Sequence, residues 1–339
     1  MYVKRNIRWN IVLRFAWLNL ILYTLWALAV YFVHHYFDHQ GRDISIPFLP
    51  VSTIGIAVAF YIGFKNNASY DRFWEARKIW GGIVNYSRTW GNQVMSFVTL
   101  RSAHPDVEAD EIYHYQKKLI YRHIAWLNAL RLQLRQPTSF SLKHPANVRA
   151  ITSNSPEWEK WNNNVSCFLP TDEYNFMIER RNMATQLIRQ QGEDLRFLQE
   201  KLGLIGDFRH IDMMKSLEEF YNLQGKCERI KNTPFPRQYA FFSKVFTNIF
   251  IFLLPMALIG EFASMGHGLT WLMVPFSVLI SWVFSTMEIV GDNSEDPFEE
   301  FINDVPMTAL CRTIEIDLRE MLGETRLPEK VRPVNDILL

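Results

Sequence analysis

The chain has 339 residues with 36 basic and 35 acidic side chains, a net charge of +1. It therefore lacks the basic surface that nucleic-acid binding usually needs. Mean hydropathy is −0.08 and hydrophobic residues make up 48%, averages that resemble a soluble globular protein but conceal long apolar runs on either side of a charged middle. Aromatics at 14%, including 11 tryptophans, suit a protein with two membrane interfaces to anchor. Cys167, Cys227 and Cys311 are far apart, form no CxxC and show no metal-ligand spacing. They read as ordinary buried thiols in a reducing compartment.

Lys4, Arg5 and Arg8 precede an apolar run from Ile11 to Val33. A signal peptide would have a shorter apolar region and a small-residue cleavage site, so the run is expected to be a retained first transmembrane helix. Arg14 lies about one turn inside it and can snorkel to the headgroups. Trp9, Trp17, Trp26 and Tyr31 give it aromatic ends. The connection from His34 to Ile46 is short and polar, so the next helix returns antiparallel.

That next helix begins a stretch, Ile46 to Arg88, around which the chain is organised. Phe48 to Phe64 carries no charge over 17 residues and stops at Lys65-Asn66-Asn67, near the lower limit for a spanning helix. Beyond it Asp71, Arg72, Glu75, Arg77 and Lys78 mix with Tyr70, Phe73, Trp74 and Trp80, with no helix breaker before Gly81. One helix is expected to run from the apolar half into the polar half. Ile56, Phe60 and Phe64 recur every four residues, with Ser52 one step before, and form a stripe along one side. Spacing alone allows a bundle-core stripe; Gly55, Ala57, Ala59 and Gly63 between them permit close helix approach.

From Asn66 to Arg237 no run is apolar enough to span a bilayer. Tyr113 to Arg135 alternates helically, with Leu119, Ile120, His123, Trp126, Leu127 and Leu130 marking a buried face. Gln136-Pro137 ends that helix. Residues 138–168 read as loop or short helices, and Glu173 to Lys201 and Ile211 to Arg229 as further amphipathic helices. A third apolar run spans Tyr239 to Ala263 and a fourth Leu269 to Val290, joined through Gly266-His267-Gly268. Four spans place both termini on one side. Lys4, Arg5, Arg8, Lys65, Arg72, Arg77, Lys231 and Arg237 fall on that face, against Arg42 alone on the other, which makes it cytoplasmic.

There is no GxGxxG, P-loop, HExxH or GxSxG, so no enzyme is indicated. His34, His35 and His39 cluster in the first outer loop without a carboxylate or cysteine at ligand spacing, and His104, His114 and His123 read as core or surface residues. Asp292, Glu295, Asp296, Glu299, Glu300 and Asp304 form an acidic run after the fourth span.

The run GFKNNASYDRFWEARKIWG resembles the second transmembrane segment of the bestrophin family in its bacterial branch. There a glycine-phenylalanine pair, here Gly63-Phe64, is followed by an arginine and two aromatics, here Arg72-Phe73-Trp74. The resemblance extends to CERIKNTPFPRQY (Cys227 to Tyr239) and EDPFEEFINDVP (Glu295 to Pro306). It implies an all-α membrane protein: four transmembrane helices plus a helical cytoplasmic region, assembled as a homopentamer around a central pore. The corresponding segments are residues 1–64, with spans one and two and the pore neck; 65–237, the cytoplasmic helices; 238–290, spans three and four; and 291–339, a cytoplasmic tail.

Carried over by position, Ile56, Phe60 and Phe64 become the hydrophobic neck, stacked rings that gate by dewetting, and Met213 is the candidate for a cytoplasmic aperture. The implied function is a passive ion channel in a bacterial inner membrane, with inorganic ions, lipid and its own copies as partners and no cofactor. Phenylalanine edges carry partial positive charge, which favours anions, chloride first. A sodium channel of the same fold and a non-conducting membrane scaffold or sensor are the alternatives. In animal bestrophins an acidic stretch after the fourth span wraps calcium. Glu300 and Asp304 match its ends, but Phe301, Ile302 and Asn303 stand where carboxylates belong. Calcium wants about six to eight oxygens, so the run is expected to be structural, tying the fourth span to the helical middle.

Overall fold

A computed structural model describes residues 1–99, 108–138 and 157–339. Ten α-helices are present among the described residues: α1 (Trp9–Asp38), α2 (Phe48–Phe97), α3 (Ala109–Arg135), α4 (Glu157–Asn164), α5 (Thr171–Ile178), α6 (Met183–Glu200), α7 (Asp207–Asn232), α8 (Arg237–Met265), α9 (Met273–Ser294) and α10 (Met307–Met321). No strand occurs among them; isolated bridges join Tyr2 and Val334 to Ile337. Segments within α1, α2, α8 and α9 are long and apolar enough to cross a membrane.

The expected long second helix is present, 50 residues without interruption. Its one proline, Pro50, sits in the first turn, where its missing N–H removes no helical bond. The helix also continues through Gly81-Gly82, because packing outweighs the cost of about 1 kcal/mol per glycine: a Cβ on Gly82 would already lie 3.1 Å from Leu223. Its first half packs on α8 and α9, its second on α7 and α10.

Two apolar cores result. One lies among the spans, with Val51, Val58, Ile62, Phe250, Leu254 and Met273. The other fills a distal helical body around Trp80, Trp90, Trp126, Phe220 and Leu318. Gly55 lets α2 approach α8, since a Cβ there would fall 2.7 Å from the Phe250 ring. The six residues expected on the buried side of α3 are all buried, but so are Arg122, Asn128 and Arg131, so α3 is a central helix enclosed on most sides. Proline 137 ends it as expected, with Gln136 extended at ψ 136.

Two expectations need correction at this level. Glu173 to Lys201 is two helices, because the chain turns at Glu179–Asn182 and Asn182 starts a new one, its side chain accepting from Thr185 N at 3.0 Å. Cys167 is exposed, whereas Cys227 and Cys311 are buried. The side chains of Trp9 and Arg14, His104, and most of the segment 138–168 lie outside the described residues. The two ends of the chain meet: Leu338 N donates to Met1 O at 2.8 Å and Val3 N to Asp336 O at 2.9 Å. Lys4 and Arg8 both reach Asp336.

Candidate pore face and its charged anchor

The stripe on α2 is uncovered by its own chain. Ile56 is 73% exposed, Phe60 68% and Phe64 60%, whereas Val58 and Ile62 on the opposite side are buried against the other spans. These exposures rule out a core stripe within one protomer. Phe60 and Phe64 meet edge to face, ring centroids 4.6 Å apart and planes at 89°, the arrangement that ring quadrupoles prefer. Further along the helix the exposed side changes character. Asn67, Asp71, Lys78, Asn85 and Asn92 are all exposed, so one face of one helix passes from apolar to polar. Met213, the expected aperture residue, is fully buried in the distal core and its side chain cannot border a lumen. The exposed apolar side chains near it on α7 are Phe208, Ile211 and Met214.

Where the stripe ends, the opposite side of α2 is anchored by charge. Lys65 is 1% exposed. Its Nζ donates to Glu288 Oε1 and Asp292 Oδ1 on α9, each at 2.5 Å, and Ser243 Oγ on α8 donates to the other oxygen of Glu288 at 2.5 Å. Next to it Asn66 Nδ2 donates to Met287 O at 3.1 Å, in a gap that only Gly291 leaves open. A buried cation is tolerable only with such partners, since desolvating it alone costs several kcal/mol. The network joins α2, α8 and α9 where the apolar half ends, and sequence reading missed it: Lys65 looked like a span terminus.

The acidic run forms a second anchor. Arg72 donates from Nε to Glu295 O and from Nη2 to Ile230 O, both at 3.0 Å. Arg237 pairs with Glu295 at 3.1 Å, Lys231 pairs with Glu299, and Arg135 pairs with Glu300 at 2.8 Å. Asp304 accepts at Oδ2 from Phe301 N at 3.0 Å. The weak calcium candidates thus turn different ways, Glu300 to an arginine and Asp304 back into its own turn. Among the described residues no group of three or more His, Cys, Asp or Glu side chains is placed to hold a metal ion. Burial pushes the Glu295 and Asp304 carboxyls up to about 7 each, with neighbouring carboxylates adding to the effect. The histidines expected in a loop lie at the end of α1, where His35 and the C-cap His39 approach through Nε2 at 3.2 Å and His34 lies 3.8 Å from Asp43, a carboxylate that sequence spacing did not suggest. His123 is enclosed by Trp90, Trp126 and Phe220. Burial pulls it down to about 3, so it stays neutral; its Nε2 lies 2.9 Å from Ser87 Oγ.

Residues 4–320 match the family model described as Bacterial/Fungal Bestrophin protein. The chain belongs to this family. Among curated relatives, this bestrophin is 30% identical over 317 residues to voltage-dependent anion channel-forming protein YneE of Escherichia coli, covering 93% of this chain and 89% of that one. It is also 30% identical over 285 residues to a voltage-dependent anion channel-forming protein of Mesorhizobium japonicum, covering 84% and 77%. Among solved structures it resembles a bacterial bestrophin homologue from Klebsiella pneumoniae, with a TM-score of 0.73 and 25% identity over 91% of this chain and 98% of that one.

Proposed function

We propose that this bestrophin is a passive anion channel, a homopentamer whose α2 helices surround a central pore, set in a bacterial inner membrane with both termini cytoplasmic. The observation that carries the reading is the exposed face of α2. Ile56, Phe60 and Phe64 have no cover within the protomer, and the same face continues into Asn67, Asp71 and Lys78. A bundle-core helix would bury the apolar part, and the channel-forming relatives favour a pore over lipid as its cover. An apolar neck opening into a wet vestibule uses both parts of the face.

Closed, such a neck offers no group to replace an ion's hydration shell, so it gates by dewetting. The phenylalanine edges at Phe60 and Phe64 present partial positive charge and favour anions, chloride being the abundant one. The names of the relatives support an anion as the permeant ion. The contact between the chain ends supports one side for both termini, and the positive-inside count makes that side the cytoplasm. Residues 65–237 and 291–339 then form the cytoplasmic body, its acidic run held by lysine and arginine. The second reading, a sodium channel, rests on Asp71, whose exposed carboxylate would repeat around the vestibule and attract cations.

The test is a planar-bilayer recording of purified protein in asymmetric sodium chloride. Reversal at the chloride equilibrium potential is expected. Reversal at the sodium potential would select the second reading. Assembled protein that never conducts would make it a scaffold.

A further inference from the structure

A cavity of about 340 Å³ lies in the distal body between α3, the turn after α4, and α10. Three arginines line it, Arg131, Arg312 and Arg319, against one carboxylate, Glu315. Glu315 is already engaged, accepting from Arg319 Nη1 at 3.1 Å and lying 3.2 Å from Arg312 Nε. Arg131 is only 4% exposed, and among the described residues no carboxylate lies within ion-pairing distance of it. Its guanidinium donates to Thr308 Oγ1 at 3.0 Å and Asn164 Oδ1 at 2.8 Å, both neutral acceptors, and its Nε has no partner.

A buried, solitary cation costs several kcal/mol unless an anion compensates it. The neighbouring Arg135, which shares Thr308 and is half-buried, has such an anion in Glu300 at 2.8 Å. Arg131 faces the cavity in place of a carboxylate. Thr308, accepting from both arginines, keeps its own hydroxyl proton to donate. The volume falls in the range of about 300–1,000 Å³ typical of small-molecule sites and exceeds what a bare halide needs. Planar guanidinium groups suit oxyanions, which they bind in bidentate fashion.

We infer that this cavity binds a small organic anion whose carboxylate or phosphate group neutralises Arg131. The site is separate from the α2 face and does not depend on what that face conducts.

Cys167 lines the cavity and is exposed, while Cys227 and Cys311 are buried. In the native, full-length protein a maleimide should therefore report on the cavity through Cys167 alone. The experiment measures its labelling rate by intact mass with inorganic phosphate, with succinate, or with chloride at matched ionic strength. Saturable protection by phosphate or succinate is expected, approaching roughly tenfold at about ten times the dissociation constant. Protection by one of the two identifies the acid group. Arg131→Met should abolish it; Arg312→Met, at the cavity edge, should weaken it and stands in if the first variant misfolds. Equal effects of all three salts, or protection that persists in both variants, would overturn the proposal. So would a change in oligomer elution of Arg131→Met without ligand protection in the parent, because Arg131 would then face a neighbouring subunit.

Discussion

The spans and the distal body are built with opposite polarity. Among the spans, Leu18, Ile21, Leu22 and Leu25 of α1 point outward, while Lys65, Ser243, Thr247, Ser277, Ser281 and Glu288 are buried. In the distal body Trp80, Trp90, Trp126 and Phe220 are fully buried, and charged side chains such as Arg189, Glu193 and Lys215 are exposed. The same α2 helix runs through both. Each half follows the solvent it meets: lipid leaves hydrogen bonding as the specific glue between helices, whereas water makes apolar burial the driving force. The stripe on α2, outward and apolar, follows the first rule, and what sets it apart is that exposed polar side chains continue the same face along the same helix.

The sharpest way to break this comparison is at Lys65. Replacing it by methionine leaves the buried Glu288 and the half-buried Asp292 without their cation, an outcome that typically costs about 3–5 kcal/mol. Thermal unfolding of the detergent-solubilised protein should show a large loss for Lys65→Met. The double variant Lys65→Met/Glu288→Gln should recover part of it through coupling. Equal melting of parent and Lys65→Met would mean that polar packing does not hold the spans together.

The next effect separates the two kinds of phenylalanine. Phe220→Ala deletes a ring packed against Trp90, His123 and Trp126 and should cost about 3–5 kcal/mol. Phe60 has no such enclosure, so Phe60→Ala should cost far less. It should leave the oligomer intact on size exclusion and raise bilayer conductance by widening the neck. Dissociation of Phe60→Ala without gain of current would return the stripe to an ordinary packing role between protomers.

What was legible in the sequence follows from the same division. Four apolar runs are local signals, and so is the helix period of Leu119 to Leu130; both appear at the expected positions. The stripe at Ile56, Phe60 and Phe64 was visible from spacing, and its exposure on the protomer agrees with the face drawn from it. The anchors were not visible, because Lys65 and Glu288 lie 223 positions apart and nothing near either names its partner. Arg72 was opaque for the same reason: its acceptors are backbone carbonyls supplied by α7 and the segment after α9. Met213 could not be assigned because burial of one residue among Ile211, Asp212, Met213 and Met214 depends on helix phase against α2 and α6. The break at Asn182 did carry a local signal, a capping asparagine, which the amphipathic pattern overrode.

A smaller effect is expected from pH. Glu295 and Asp304 ordinarily titrate near 4.5 and 3.8, and burial raises both to about 7. Between those limits the folded protein holds protons that the unfolded chain has released, so stability declines as pH rises from about 4 through 7. The melting temperature should therefore be higher at pH 5 than at pH 8, and Asp304→Asn should flatten the dependence. A stability that instead rises over this range would show that the pairing of Glu295 with Arg237 outweighs its burial.

The smallest effect concerns calcium at the same segment. A calcium site needs about six to eight oxygens, mostly anionic, and here the run's carboxylates are already committed. Glu295 and Glu299 are held by Arg237 and Lys231, Glu300 by Arg135, and Asp304 by the backbone of its own turn. To recruit them the ion would have to displace three cations and desolvate itself in their place. Because a ligand stabilises only when it binds, millimolar calcium or its chelation should move the melting temperature by less than about 1 °C, where the roughly 4 kcal/mol of a site filled at about 1,000 times its dissociation constant would move it by several degrees. A saturable rise at micromolar calcium would show that Glu300 and Asp304 exchange their protein partners for a metal. Charge-reversing Arg135→Glu, which removes a cation the ion must displace and adds a carboxylate, would then strengthen the response while weakening the fold.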